Sequence, residues 1–155
     1  MNSSIAISSI FAVCLVVATS CGPKATSSIS GAVSRLVACQ ESGVGSLYVG
    51  FMSARPDETS SVRMLAFAHI SETDYVADGS SYDYSIDEVA VGTKGWLSAF
   101  LDENGNANPL DPWPDLGDLI SYPPVAVKVD HGVNRVNLVF EAVCPGEPNR
   151  VRHDA

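Results

Sequence analysis

From Ile29 onward, apolar and polar residues alternate with a period of two, or gather into short apolar runs bounded by Gly, Pro, Asn and Asp. Alternation of this kind puts successive side chains on opposite faces of an extended chain, so it predicts strands rather than helices. The pattern predicts seven, over 29–36, 46–52, 62–70, 82–86, 95–101, 124–129 and 133–140. In the second, Leu47, Val49 and Phe51 share one face. In the third, Val62, Met64, Ala66, Ala68 and Ile70 line one side, but Leu65 and Phe67 make the other apolar too. That reads as a central strand covered on both faces. Asp130-His131-Gly132 separates the last two runs, and a three-residue, glycine-containing connection predicts a hairpin.

No segment carries a 3.6-residue period with caps, and the best helical stretch, 86–91, is too short to stand alone. Seven short strands separated by turn residues predict an all-β fold, an Ig-like or prealbumin-like Greek-key sandwich forming one domain over 29–144. The charged, proline-containing stretch 145–155 reads as a fraying tail.

The first 20 residues follow a different pattern. From Ile5 to Thr19 the chain is apolar with scattered serines and no charge. Such a run is short for a membrane-spanning helix, which takes about 20 apolar residues, and suits the apolar core of a signal peptide. It ends in Val17-Ala18-Thr19-Ser20-Cys21-Gly22, which resembles a lipobox, with Ala18 where leucine is usual. That resemblance implies cleavage before Cys21 and its acylation, a tether over 21–28, and a lipid-anchored place in the bacterial envelope. Glycine after the cysteine points to the outer membrane. The alternative is an ordinary secretory leader cut after Ser20, leaving Cys21 as a thiol.

Charge and cysteine content narrow the class. The chain carries 9 basic and 18 acidic residues, a net charge of −9, which argues against nucleic acid, whose phosphates call for clustered Lys and Arg. With Cys14 inside the leader and Cys21 acylated, Cys39 and Cys144 remain as a pair, and an oxidising envelope predicts a disulfide. No Cys/His cluster suggests structural zinc.

Two motifs resemble one family. Ile29-Ser30-Gly31-Ala32-Val33 looks like the opening strand of transthyretin-like, carboxypeptidase regulatory-like sandwiches, and Gly92-Thr93-Lys94-Gly95-Trp96-Leu97-Ser98-Ala99-Phe100-Leu101-Asp102 resembles a later strand of the same group. The following Asp102-Glu103-Asn104-Gly105-Asn106 is similar to a turn found there and in calcium-binding repeats of bacterial surface proteins. The resemblance implies calcium at this turn, with Asp102, Asn104 and Asn106 as ligands.

Oxygen-bearing side chains recur at 102, 104, 106 and 108, and hard cations want 6–8 oxygen ligands. Asn108, Asp111 and Asp118 extend the candidate set. From Asp102 to Asp118 there are five acids and no base, so the unneutralised loop repels itself. Asn, Gly and Asp are also what tight turns use, so a metal-free, solvated acidic loop is the competing reading. Trp113, between Pro112 and Pro114, is either a recognition anchor or a cover for the sandwich edge. The acids Glu72, Asp74, Asp78, Asp83, Asp87 and Glu88 read as a second solvated loop region.

Catalysis has little support. The C-terminal Tyr-Arg-Gly-Ser of transthyretin-like hydrolases is absent, the three histidines are scattered, and there is no Gly-x-Ser-x-Gly elbow. The expectation is a non-catalytic envelope lipoprotein, calcium-stabilised at 102–118, that meets an envelope protein or a glycan. The alternative is a metal-free structural or assembly subunit, with a small hydrolase a distant third.

Overall fold

A computed structural model describes residues 24–35, 43–56, 61–76, 79–115 and 118–140. Among them there is no helix. Nine strands run in the order β1 (Thr26–Arg35), β2 (Val44–Met52), β3 (Met64–Asp74), β4 (Ser81–Ala90), β5 (Lys94–Asp102), β6 (Leu119–Ile120), β7 (Val125–Lys128), β8 (Val133–Arg135) and β9 (Leu138–Phe140). They form two sheets. One is ordered β4-β1-β8 with β9 also on β1, and the other β3-β2-β5-β6 with β7 also on β5. The all-β sandwich expected from the alternation is what forms.

Between the sheets lies the apolar face of each strand. Ile29 and Val33 of β1, Leu47, Val49 and Phe51 of β2, Tyr84 and Ile86 of β4, and Leu97, Ala99 and Leu101 of β5 form one buried cluster with Tyr75, Leu138 and Phe140. Period-two residues from both sheets meet here because each sheet can hide its apolar face only against the other. Gly31 sits where β1 is crowded. A Cβ there would overlap the Val136 carbonyl oxygen, between β8 and β9.

The first and last strands pair in parallel, Ser28 with Val133 and Arg35 with Phe140. Val136 and Asn137 break the predicted 133–140 strand in two: Asn137 Oδ1 accepts from the Ala32 amide at 3.1 Å, and the Val136 carbonyl accepts from the Tyr84 hydroxyl at 2.7 Å.

Three strand expectations need correction. The hairpin at Asp130-His131-Gly132 does not form, since β7 belongs to the sheet of β5 and β8 to that of β1. The turn carries the chain between sheets, and the Asn134 side chain holds it by donating to the Ser28 carbonyl at 2.9 Å and the Asp130 carbonyl at 3.2 Å. β3 pairs only with β2, so it is an edge strand and Leu65 is exposed. β2 is the central one, its outer residues Tyr48 and Met52 as buried as its inner ones. The acids expected in a loop lie largely in edge strands β3 and β4, where Glu72 and Glu88 adopt left-handed φ of 57° and 59°. Asp78 lies outside the described residues.

Candidate functional site

β5 delivers the acidic loop. Its inner residues Leu97, Ala99 and Leu101 anchor in the core, and alternation turns Asp102 to the outer face opposite Ser46 of β2. Gly45 makes that approach close, because a Cβ there would overlap the Asp102 carbonyl. Asp102 is 3% exposed, and its carboxylate organises the turn. Oδ1 accepts from the amides of Gly105 at 2.8 Å and Asn106 at 3.2 Å, while Oδ2 accepts from Ala107 at 3.1 Å. Gly105 has φ 72°, the left-handed conformation that lets the chain fold back over the carboxylate.

Asp115 is the second centre. The side-chain amide of Asn104 donates to its Oδ1 at 3.1 Å, and that of Asn106 donates to its Oδ2. The Asn104 carbonyl oxygen accepts from the Asn106 amide at 3.0 Å. Alternate residues 104 and 106 thus converge on one point, as their spacing predicts, but that point is a carboxylate absent from the predicted ligand set. The excess of acids was the one sequence signal for it. Position 115 is too far from the alternating run for spacing to place it.

Asp118 closes the loop, just before β6. It is 1% exposed; its Oδ2 accepts from the Asp115 amide at 2.9 Å, and its buried Oδ1 has no hydrogen-bond partner. Burial, then the charges of Asp115 and Asp102, raise its pKa to about 6, against the opposing pull of the Asp115 and Glu103 amides. The same field reaches β2, where burial first and then Asp102 raise the Tyr48 hydroxyl. Glu103 accepts from the Gly43 amide, tying the loop to the start of β2.

Other expected ligands are engaged locally. Asn108 accepts from the Leu110 amide at 3.0 Å, and Asp111 accepts from the Trp113 indole at 3.0 Å. Trp113 is half-buried beside buried Pro112. The structure therefore gathers Asp102, Asn104, Asn106, Asp115 and Asp118, and leaves Asn108 and Asp111 in turns of their own. Among the described residues no three His, Cys, Asp or Glu side chains form a ready metal cage. The cation-site chemistry present is two carboxamides on Asp115 and one orphaned, buried carboxylate oxygen on Asp118. Cys21, Cys39 and Cys144 lie outside the described residues.

The outer face of the larger sheet holds features that alternation did not reveal. The Tyr48 ring is stacked between His69, at 4.5 Å, and Phe100, at 5.0 Å. Trp96 lies on this face too, with the Arg55 guanidinium 5.5 Å from its ring centre.

Fold and loop together define a two-sheet β-sandwich with an exposed acidic loop, anchored on buried Asp102 and Asp118, at one end of its larger sheet. A scan against protein-family models and searches of curated proteins and of solved structures found no match to this chain.

Proposed function

We propose that this protein is an exported, lipid-anchored sandwich of the bacterial envelope that binds or scaffolds rather than catalyses, and that its 102–118 loop takes up calcium. The observation that carries the metal reading is Asp118. A carboxylate oxygen buried without a partner costs several kcal/mol if ionised and unpaired, and a cation removes that cost. The Asn104 and Asn106 amide groups now donate to Asp115. Rotation of each carboxamide by half a turn would present two carbonyl oxygens beside the same carboxylate. Asp115, Asn104, Asn106 and Asp118 would hold the ion, with Asp102 keeping the turn folded through its three amide contacts. Calcium accepts this mix of carboxylate, carbonyl and water oxygens.

The anchor reading rests on the apolar leader and the Cys21 boundary, and the motifs that resemble transthyretin-like sandwiches lie on β1 and β5. The even pair that remains beyond the leader and Cys21, Cys39 and Cys144, supports a disulfide in an oxidising envelope. Bound calcium would order the loop and fix Trp113 for contact with an envelope protein or glycan. Calcium titration of the full chain, followed by thermal unfolding with and without chelator, tests the reading. Without any shift, the metal-free structural subunit is the better account.

A further inference from the structure

The two sheets differ in what they turn outward. On the smaller sheet the outward residues of β1 and β4 include Ser30, Ser34, Ser81, Asp83 and Ser85, the polar face that water demands. On the larger sheet the same alternation turns out Leu65 and Phe67 of β3, Tyr48 and Met52 of β2, and Trp96 and Phe100 of β5. Tyr48, Met52 and Phe100 are packed into a buried floor. Around them Leu65 is 41% exposed, and Phe67, Trp96 and Ile120 are half-buried. A contiguous apolar face on one sheet, with none on the other, marks a surface that meets a partner.

This face reads alike in both directions. Along β5 the outward residues are Lys94, Trp96, Ser98, Phe100 and Asp102: cation, ring, small residue, ring, anion. Along β2 they are Tyr48 and Met52 with Gly50 between them. Phe67, Gly50 and Ser98 stand in one row across the sheet. A two-fold axis along that row lays a second copy face to face, with its strands reversed. Trp96 then meets the partner's Phe100, Tyr48 meets the partner's Met52, and Lys94 meets the partner's acidic loop. Each contact occurs twice, as an isologous interface requires. At the axis Gly50 has no side chain and Ser98 little bulk, and the Met64 thioether that lies over Gly50 is an adaptable filler.

We infer that the outer face of the larger sheet is the interface of a two-fold symmetric dimer of this chain, with the strands of the two copies running in opposite directions. The apolar rows supply the contact, and charge selects the occupant and its orientation. β5 starts at Lys94 and runs into Asp102 and the acids beyond it, so the two ends of the face are opposite in sign. Asp130 lies 3.6 Å from Lys128, which leaves Lys94 to mark the basic end. The reversed arrangement satisfies both ends, whereas strands running alike would set acidic loop on acidic loop. An anionic lipid surface would be repelled by the same loop. The inference does not depend on cation binding at 102–118.

Sedimentation velocity of the full chain in EDTA, over a range of protein concentrations, tests this. A concentration-dependent equilibrium between monomer and dimer is expected. Leu65→Glu/Phe67→Glu should weaken it by about tenfold or more, as loss of apolar anchors does. Both positions lie on the outward side of an edge strand, and a cooperative melt confirms that the variant is folded. Lys94→Glu, at an exposed position, should weaken the dimer more at low salt than at high salt. Asp83→Ala, on the polar face of the smaller sheet, should leave it unchanged. A parent that stays monomeric at every concentration, or a dimer undiminished in the first two variants, would overturn the inference. So would association that grows beyond a dimer and ignores both, as clustering through the apolar leader would.

Discussion

Asp115 and Asp118 hold each other in a reciprocal clasp: the Asp115 amide donates to the Asp118 carboxylate at 2.9 Å, and the Asp118 amide donates to the Asp115 carbonyl at 3.3 Å. One bond satisfies Asp118 Oδ2 while leaving Oδ1 buried and alone. The loop is therefore folded around an acid that its surroundings do not fully satisfy.

That acid makes stability depend on pH. In the unfolded chain Asp118 titrates near its ordinary value of about 3.9, and in the folded protein near 6. The folded value is the higher one, so the fold favours the protonated carboxyl. Its contribution is complete below about pH 4 and is lost as pH rises through about 6. The difference is on the order of 3 kcal/mol. In EDTA, Asp118→Asn should match the parent near pH 4 and exceed its stability above pH 7 by that order. Urea unfolding at both pH values checks this, and a parallel pH profile for the two proteins would contradict it.

Both sheets place a glutamate in the left-handed region at a bulge on an edge strand. Asp87 and Glu88 oppose Ser28 where the β1–β4 register shifts, and Ser71 and Glu72 oppose Ser46 where the β2–β3 register shifts. Left-handed backbone costs a non-glycine residue roughly 1–2 kcal/mol, part of which glycine returns through its looser unfolded state. Glu88→Gly and Glu72→Gly should each stabilise by about 0.5–1 kcal/mol in denaturant melts. A loss of stability in both would show that the carboxylates contribute more than the backbone costs.

Period-two alternation made β1, β2 and β5 legible, because Ile29, Leu47 or Leu97 need only a face to be recognised. It did not tell which neighbour a strand would choose. β3 and β2 are both apolar on two faces, and pairing over long sequence separations, not composition, made β2 central. The turn at Asp130 looked like a hairpin for the same reason, since a glycine turn has the right local chemistry whether the next strand stays or changes sheet. In the site, the turn residues from Asp102 to Asn106 were readable from their spacing. Asp115 was not, because it reaches Asn104 and Asn106 only after the chain has doubled back.

Gly31 reports on how tightly the parallel first and last strands fit. In Gly31→Ala the new methyl meets the Val136 carbonyl, backbone that cannot swing aside. A loss of about 2–4 kcal/mol is expected, in line with other overpacked or strained core sites. A thermal midpoint within a degree of the parent would show that β8 and β9 move away easily.

The proposed Cys39–Cys144 link would close a loop of about a hundred residues, for which chain entropy gives at most about 4–5 kcal/mol. Oxidised protein should migrate and mass as an internal disulfide, and reduction should lower the melting midpoint. Free thiols under non-reducing conditions, or a midpoint indifferent to reductant, would count against the pairing.

The central claim is that the loop from Asp102 to Asp118 is a calcium site, and thermal unfolding of the full chain at pH 7.5, in calcium and then in excess EDTA, tests it most directly. Ligand binding only the folded state adds about 2.7 kcal/mol at a hundredfold excess over its dissociation constant, a rise of roughly 5–15 °C for a domain of this size. The account predicts that rise in the parent and its loss in Asp118→Asn and Asp115→Asn. An unchanged midpoint at millimolar calcium, or an equal rise in both variants, would contradict it.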